Sequence, residues 1–271
     1  MSDSKVPYFH IDAFTNRPLA GNQAAVMLLE AWPDDATLAA IGAENMFAET
    51  AFLVPDHTGA ADFELRWFTP AVEVAMCGHA TLASGHVVLL QDPMRGRVTF
   101  RTRKAGILEV ARDADGYVLS LPAVLTTPRS FDAAVPLLGA PVPVEVWQAP
   151  GYNLFVYASA ADVLALAPDF KALAALGEDQ FIATALGAGH PSAADVVSRV
   201  FVPGGGIDED AATGSAHAAL TPLWAEKLGQ VRFAGHQASA RGADFACRLE
   251  GDRVLLGGGC VTVVEGLFRL P

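Results

Sequence analysis

The chain has 271 residues, 52% of them hydrophobic and 18% charged, and its 18 Lys and Arg against 30 Asp and Glu give a formal net charge of −12. That length is enough for one large domain or two smaller ones with real cores, and the acidic balance argues against nucleic acid or an anionic membrane as a partner. No apolar run reaches the ~18 residues a membrane span needs, MSDSKVPYFHIDAF carries no signal pattern, and the three scattered cysteines Cys77, Cys247 and Cys260 form no disulfide framework, so a cytoplasmic protein of a reducing compartment is expected.

In chain order, a strand is expected over 6–14 and a turn over 16–22. A helix over 34–43 and strands over 48–54 and 63–69 follow. ATLASGHVVLLQ (80–91) is apolar nearly all round, as a helix buried on every side should be. Strands over 98–102, 106–112 and 117–122 lead to a Pro- and Thr-rich linker near 122–136. The second half reads as strands over 144–150 and 153–159, a helix over 161–176 and a strand over 198–203. A buried helix over 215–229, which Pro222 should kink or interrupt, precedes strands over 247–251 and 253–266.

The halves echo one another. Each has strands, a small-residue turn (CGHA at 77–80, TGSA at 213–216), a buried helix and further strands. The simplest architecture is α+β, with two domains (1–122 and 123–262) that each curve a mixed sheet around a central helix. A helix start leaves about four N–H groups unpaired and carries partial positive charge, so two such starts facing each other would hold a carboxylate. The plainer alternative is that Gly and Ser cap two core helices.

Five side chains are candidates for chemistry. Glu49 would share a strand face with Ala51 and Leu53, which suits a general acid–base near neutral pH, unless the strand is an edge and Glu49 lies in water. Asp210, beside Glu209, could orient a substrate amine or hydroxyl or merely complement the helix dipole. Ser215 and His79 could each cap a helix or meet substrate. Cys77 stands where a helix start lowers a thiol pKa, yet Ala211, Ala212 and Thr213 offer no second thiol for a two-base epimerase. Gly204–Gly206 lack phosphate-loop spacing, no G-x-S-x-G elbow exists, and His79 and His86 lack a set of metal-ligand neighbours.

Five stretches then bring a family into view: DAFTNRPLAGNQAAV (12–26), AETAFLV (48–54), LRWFTPAVEVAMCGHATLA (65–83), DEDAATGSAHAAL (208–220) and GDRVLLGGGCVTVVEG (251–266). In this order they resemble the phenazine-biosynthesis PhzF-like proteins, within the diaminopimelate-epimerase fold. The resemblance implies two pseudo-symmetric domains with the active site between them, and a last strand, about 263–271, that returns to the first domain. It implies an isomerase without metal or cofactor, acting on a small carboxylate-bearing molecule such as trans-2,3-dihydro-3-hydroxyanthranilate and commonly homodimeric. Its catalytic groups fall on Glu49, Asp210, His79 and Ser215, and its substrate-binding positions on Gly21, Asn22, Cys77, Gly78, Thr213 and Gly214. Cys77 replaces a small residue of the phenazine enzyme and Ala211 a common proline, and pocket walls rather than motifs set the substrate. A Cys77-assisted racemase or epimerase and a non-catalytic binding protein of the same fold are the alternatives.

Overall fold

The computed structural model describes residues 5–113 and 116–270, so the first four residues of the expected first domain, its residues 114–115 and the final residue of the expected 263–271 strand lie outside the described residues. The chain divides into two compact units. One runs to Ser120 and resumes at Gly257; the other is Leu121–Leu256.

The first unit contains β1 (Lys5–Ala13), β2 (Asn22–Leu28), α1 (Asp35–Asn45), β3 (Glu49–Pro55), β4 (Phe63–Phe68), β5 (Glu73–Val74), α2 (Gly78–Gln91), β6 (Arg97–Thr102), β7 (Ile107–Asp113) and β8 (Gly116–Pro122), which ends just past the unit's boundary. The second holds β9 (Thr127–Pro128), β10 (Glu145–Ala149), β11 (Tyr152–Val156), α3 (Ala160–Ala165), α4 (Phe170–Ala174), β12 (Gln180–Leu186), β13 (Val196–Val202), β14 (Ile207–Asp210), α5 (Gly214–Leu228), β15 (Arg232–Gln237), β16 (Ala243–Glu250) and β17 (Arg253–Gly258). The last strand, β18 (Cys260–Arg269), lies in the first unit and pairs antiparallel with β1.

In the first unit β1/β2 is antiparallel, β2/β3 parallel, β3/β4 antiparallel, β4/β6 parallel and β6/β7 antiparallel. In the second unit β10/β11, β11/β12, β12/β13, β13/β15 and β15/β16 repeat that series in the same order. A short strand hangs on the fourth strand of each series, β5 on β4 and β14 on β13, and leads into the unit's long helix. Residues Gly78–Leu89 of α2 are all buried, against β1, β2, β3, β6, β7 and β18. A helix enclosed by sheet on every side has no polar face to offer, hence its all-round apolar sequence.

Three expectations need correction. Residues 161–176 form two short helices rather than one, because Pro168 disfavours helix at the residue before it and Asp169 restarts the chain by accepting from the Ala172 amide at 3.0 Å. The 253–266 strand is two, broken at Gly259, where a Cβ would overlap Asn16 and the Thr15 carbonyl. The expected interruption at Pro222 is absent: α5 runs unbroken from Gly214 to Leu228. Proline cannot donate to Ala218 O four residues back, and the Val124 amide does so instead at 3.0 Å. The sequence reading also missed β2, β12 and β15 as strands. NQAAVML is Ala-rich and buried on both faces, so it shows no alternation.

Candidate active site

In the first unit four side chains meet where β2, β3 and α2 begin. Glu49 is the first residue of β3 and lies opposite Ala24 of β2. Its side chain is 12% exposed, and Oε2 sits 3.0 Å from His79 Nε2. That contact is off the hydrogen-bond axis, so the buried Oε2 has no aligned donor. His79 is the second residue of α2 and is buried. Its Nδ1 lies 3.1 Å from Asn22 Nδ2 and 3.5 Å from Cys77 Sγ. Asn22 opens β2 directly after Gly21, whose φ of +62° and close approach to the Ala13 carbonyl exclude any side chain.

Cys77 is the N-cap residue of α2, with extended backbone and no side-chain cap, so neither it nor His79 closes the helix start. Burial pushes the Cys77 thiol up to about 11, and the Glu49 charge adds to this. It is therefore a neutral thiol near pH 7, contrary to the low pKa a helix start alone suggests. Burial acts to lower His79, but the Cys77 and Glu49 side chains beside it outweigh this and hold the imidazole well above its ordinary value.

His79 has metal-ligand neighbours after all. Glu49, Cys77 and His79 each present one ligand atom, all within 4.8 Å of one another. The sequence hid this because Glu49 arrives from β3, outside any local ligand spacing. His86 is different: Nδ1 meets the Tyr117 hydroxyl at 3.0 Å and Nε2 the Thr262 hydroxyl at 2.9 Å, and it ties α2 to β18.

In the second unit the start of α5 is braced by a residue the sequence reading did not single out. Buried Gln237 of β15 accepts from the Thr213 amide at 2.8 Å and donates to Asp210 O at 2.7 Å. Thr213 Oγ1 donates to Asp210 Oδ2 at 2.5 Å. Asp210 is thus held against the helix start, whereas Glu209 turns away to a two-pronged pair with Arg199 at 2.8 Å. Ser215, the second residue of α5 after Gly214, does not cap it; its Oγ accepts from Gln180 Nε2 at 2.8 Å. Gln180 was also missed, since it opens β12, a strand the sequence did not disclose. Among the described residues no helix is long and apolar enough to cross a membrane.

Comparison with known proteins matches residues 11–266 to the family model described as phenazine biosynthesis-like protein, PhzC-PhzF. The chain is 42% identical over 270 residues to an uncharacterized isomerase of Pseudomonas aeruginosa, covering 98% of this chain and 99% of that one. It superposes on a PhzF-family phenazine biosynthesis protein of Enterococcus faecalis with a TM-score of 0.89 at 35% identity, covering 98% and 100%. A hydroxyproline epimerase of Agrobacterium vitis shares the fold, with a TM-score of 0.59 at 13% identity, covering 98% and 93%.

Proposed function

The chain belongs to the phenazine biosynthesis-like PhzC-PhzF family, and on that premise we propose that it is a cofactor-independent isomerase that moves a proton between carbons of a small carboxylate-bearing substrate, with Glu49 as the base. The observation that carries this reading is the buried Glu49 Oε2, which has no aligned donor and stands 3.0 Å from His79. With no donor aligned on it, this oxygen keeps a lone pair for a carbon-bound proton, and the imidazole 3.0 Å away is placed to balance charge.

Glu49 takes a proton from a carbon next to the carboxylate or a conjugated system. The C–H electron pair passes into that system, and protonated Glu49 returns the proton at another carbon on the same face. Amides at Gly78–His79, at the positive end of α2, hold the substrate carboxylate and stabilise the charge that develops. Asp210 and Ser215, with Gly214, are assigned to orienting a hydroxyl or amine. General acid–base work contributes roughly 10²–10⁴ in rate, so electrostatics and positioning supply the rest.

The test is turnover of trans-2,3-dihydro-3-hydroxyanthranilate in D₂O followed by NMR, then a screen of small amino and hydroxy acids for deuterium uptake. Uptake into carbon positions is expected. A blank across the whole series would remove the isomerase reading.

A further inference from the structure

Glu49, Cys77 and His79 gather where β3 and α2 begin, both in the first unit. Cys77 and His79 are buried, and the Glu49 side chain is 12% exposed. Each residue offers one ligand atom, and the three atoms lie within 4.8 Å of one another. His79 Nε2 stands 3.0 Å from Glu49 Oε2 and 3.9 Å from Cys77 Sγ. Tetrahedral zinc, with bonds of about 2.0–2.2 Å to nitrogen and oxygen and about 2.3 Å to sulfur, spaces its ligand atoms roughly 3.3–3.7 Å apart. The two separations at His79 straddle that spacing.

We infer that Glu49 Oε2, Cys77 Sγ and His79 Nε2 form a binding site for a zinc ion. The donor set selects the metal. A thiolate and an imidazole suit zinc, whereas magnesium and calcium need several oxygens and find one carboxylate here. The Glu49–His79 contact points the same way. Two ligands of one ion lie side by side with their lone pairs turned to the ion, and this contact is close yet off the hydrogen-bond axis. On the other edge of the ring, His79 Nδ1 lies 3.1 Å from the Asn22 amide, where a ligating histidine has its outer-shell partner. The Cys77 thiol proton and the proton on His79 Nε2 pass to solvent as the bonds to zinc form. Three protein ligands leave a fourth position for water. The ion is a blocker, not a cofactor: it takes the Glu49 lone pair that proton abstraction needs. That consequence rests on the proposed isomerase reading; the site itself does not.

The experiment titrates zinc into the metal-free full chain against a chromophoric chelator, and cobalt in parallel to read the ligands by absorption. One zinc per chain is expected, with thiolate-to-cobalt charge-transfer bands and the visible bands of a tetrahedral ion, and magnesium should not compete. Cys77→Ser should remove the charge-transfer bands and weaken zinc by more than about 100-fold, beyond the 10–100-fold that altered outer-shell partners cost. Glu49→Gln keeps the size of its side chain, and it should keep the bands and weaken zinc by at least about 10-fold. Cys247 and Cys260 are the other thiols, so bands that survive in Cys77→Ser would place the metal elsewhere and overturn the inference. Wild type without stoichiometric zinc, or equal zinc affinity in wild type and Glu49→Gln, would overturn it as well. Zinc should also stop deuterium uptake by wild type, and a chelator should restore it. Uptake that continues with zinc bound would overturn the blocking role. No uptake by the metal-free protein would remove the isomerase reading and leave the zinc titration to decide the site.

Discussion

His79 Nε2 and Glu49 Oε2 lie 3.0 Å apart, one from the first turn of a buried helix and the other from the first position of a strand, and the contact is not an aligned hydrogen bond. Glu49→Gln keeps the size of the side chain and removes its proton-accepting charge. Deuterium uptake from D₂O should fall by about 10²–10⁴-fold, the span of general acid–base contributions. Circular dichroism should be unchanged, because the variant deletes no buried apolar atom. Full uptake in this variant would take Glu49 out of the mechanism.

Cys77 separates the isomerase from a thiol-dependent racemase. Its thiol is buried and pushed up to about 11, and the second unit presents Thr213 at the matching N-cap position. Cys77→Ser should leave isomerisation within the same order of magnitude as wild type. A collapse of exchange at Cα of an amino acid substrate, with the fold intact, would instead assign the thiol as a base.

Acid sensitivity should come from two buried neutral histidines. Burial lowers His86 and His217 to about 4 from an ordinary 6.5. The folded state binds their protons more weakly than the unfolded state does. Their stabilisation is therefore complete above pH 6.5 and is lost as pH falls toward 4. At 1.36 kcal/mol per pKa unit, each accounts for on the order of 3 kcal/mol. Urea midpoints measured between pH 7 and 4.5 should fall in wild type, and the slope should flatten in His217→Gln. An equal slope in both would show that His217 titrates normally.

Val124 carries the amide that Pro222 leaves room for at Ala218 O. Val124→Pro removes that donor and leaves a buried carbonyl unpaired, at about 1–3 kcal/mol. Val124→Ala keeps the amide and should lose less. Chemical denaturation of the pair isolates the bond, and equal losses would show that the side chain rather than the amide matters.

The positions of much of the candidate site were legible in the sequence because they lie at element starts with local signatures. C-G-H-A and T-G-S-A mark two helix starts flanked by apolar runs, and α2 and α5 lie there. Glu49 stood before an apolar strand, and β3 begins at that residue. Gln180 and Gln237 left no such mark. Each opens or closes a strand without clean alternation, and an amide is as common on a surface as in a network. Each is identified only by its partner, Ser215 in one case and Thr213 with Asp210 in the other.

The sequence by itself determined the class of the fold and the positions of the two helix starts, since apolar periodicity and small-residue turns act over a few neighbouring residues. Only the tertiary structure decided what surrounds each group. It brought Glu49 to His79 across thirty positions of chain, turned Glu209 to Arg199, and let α5 continue through Pro222 on a bond from Val124. It made Cys77 a neutral thiol where the helix start alone predicts a reactive one. The reason is physical: burial and partner distance set the charge state and free valence of a side chain, and both come from chain segments that meet only when the sheets close around their helices.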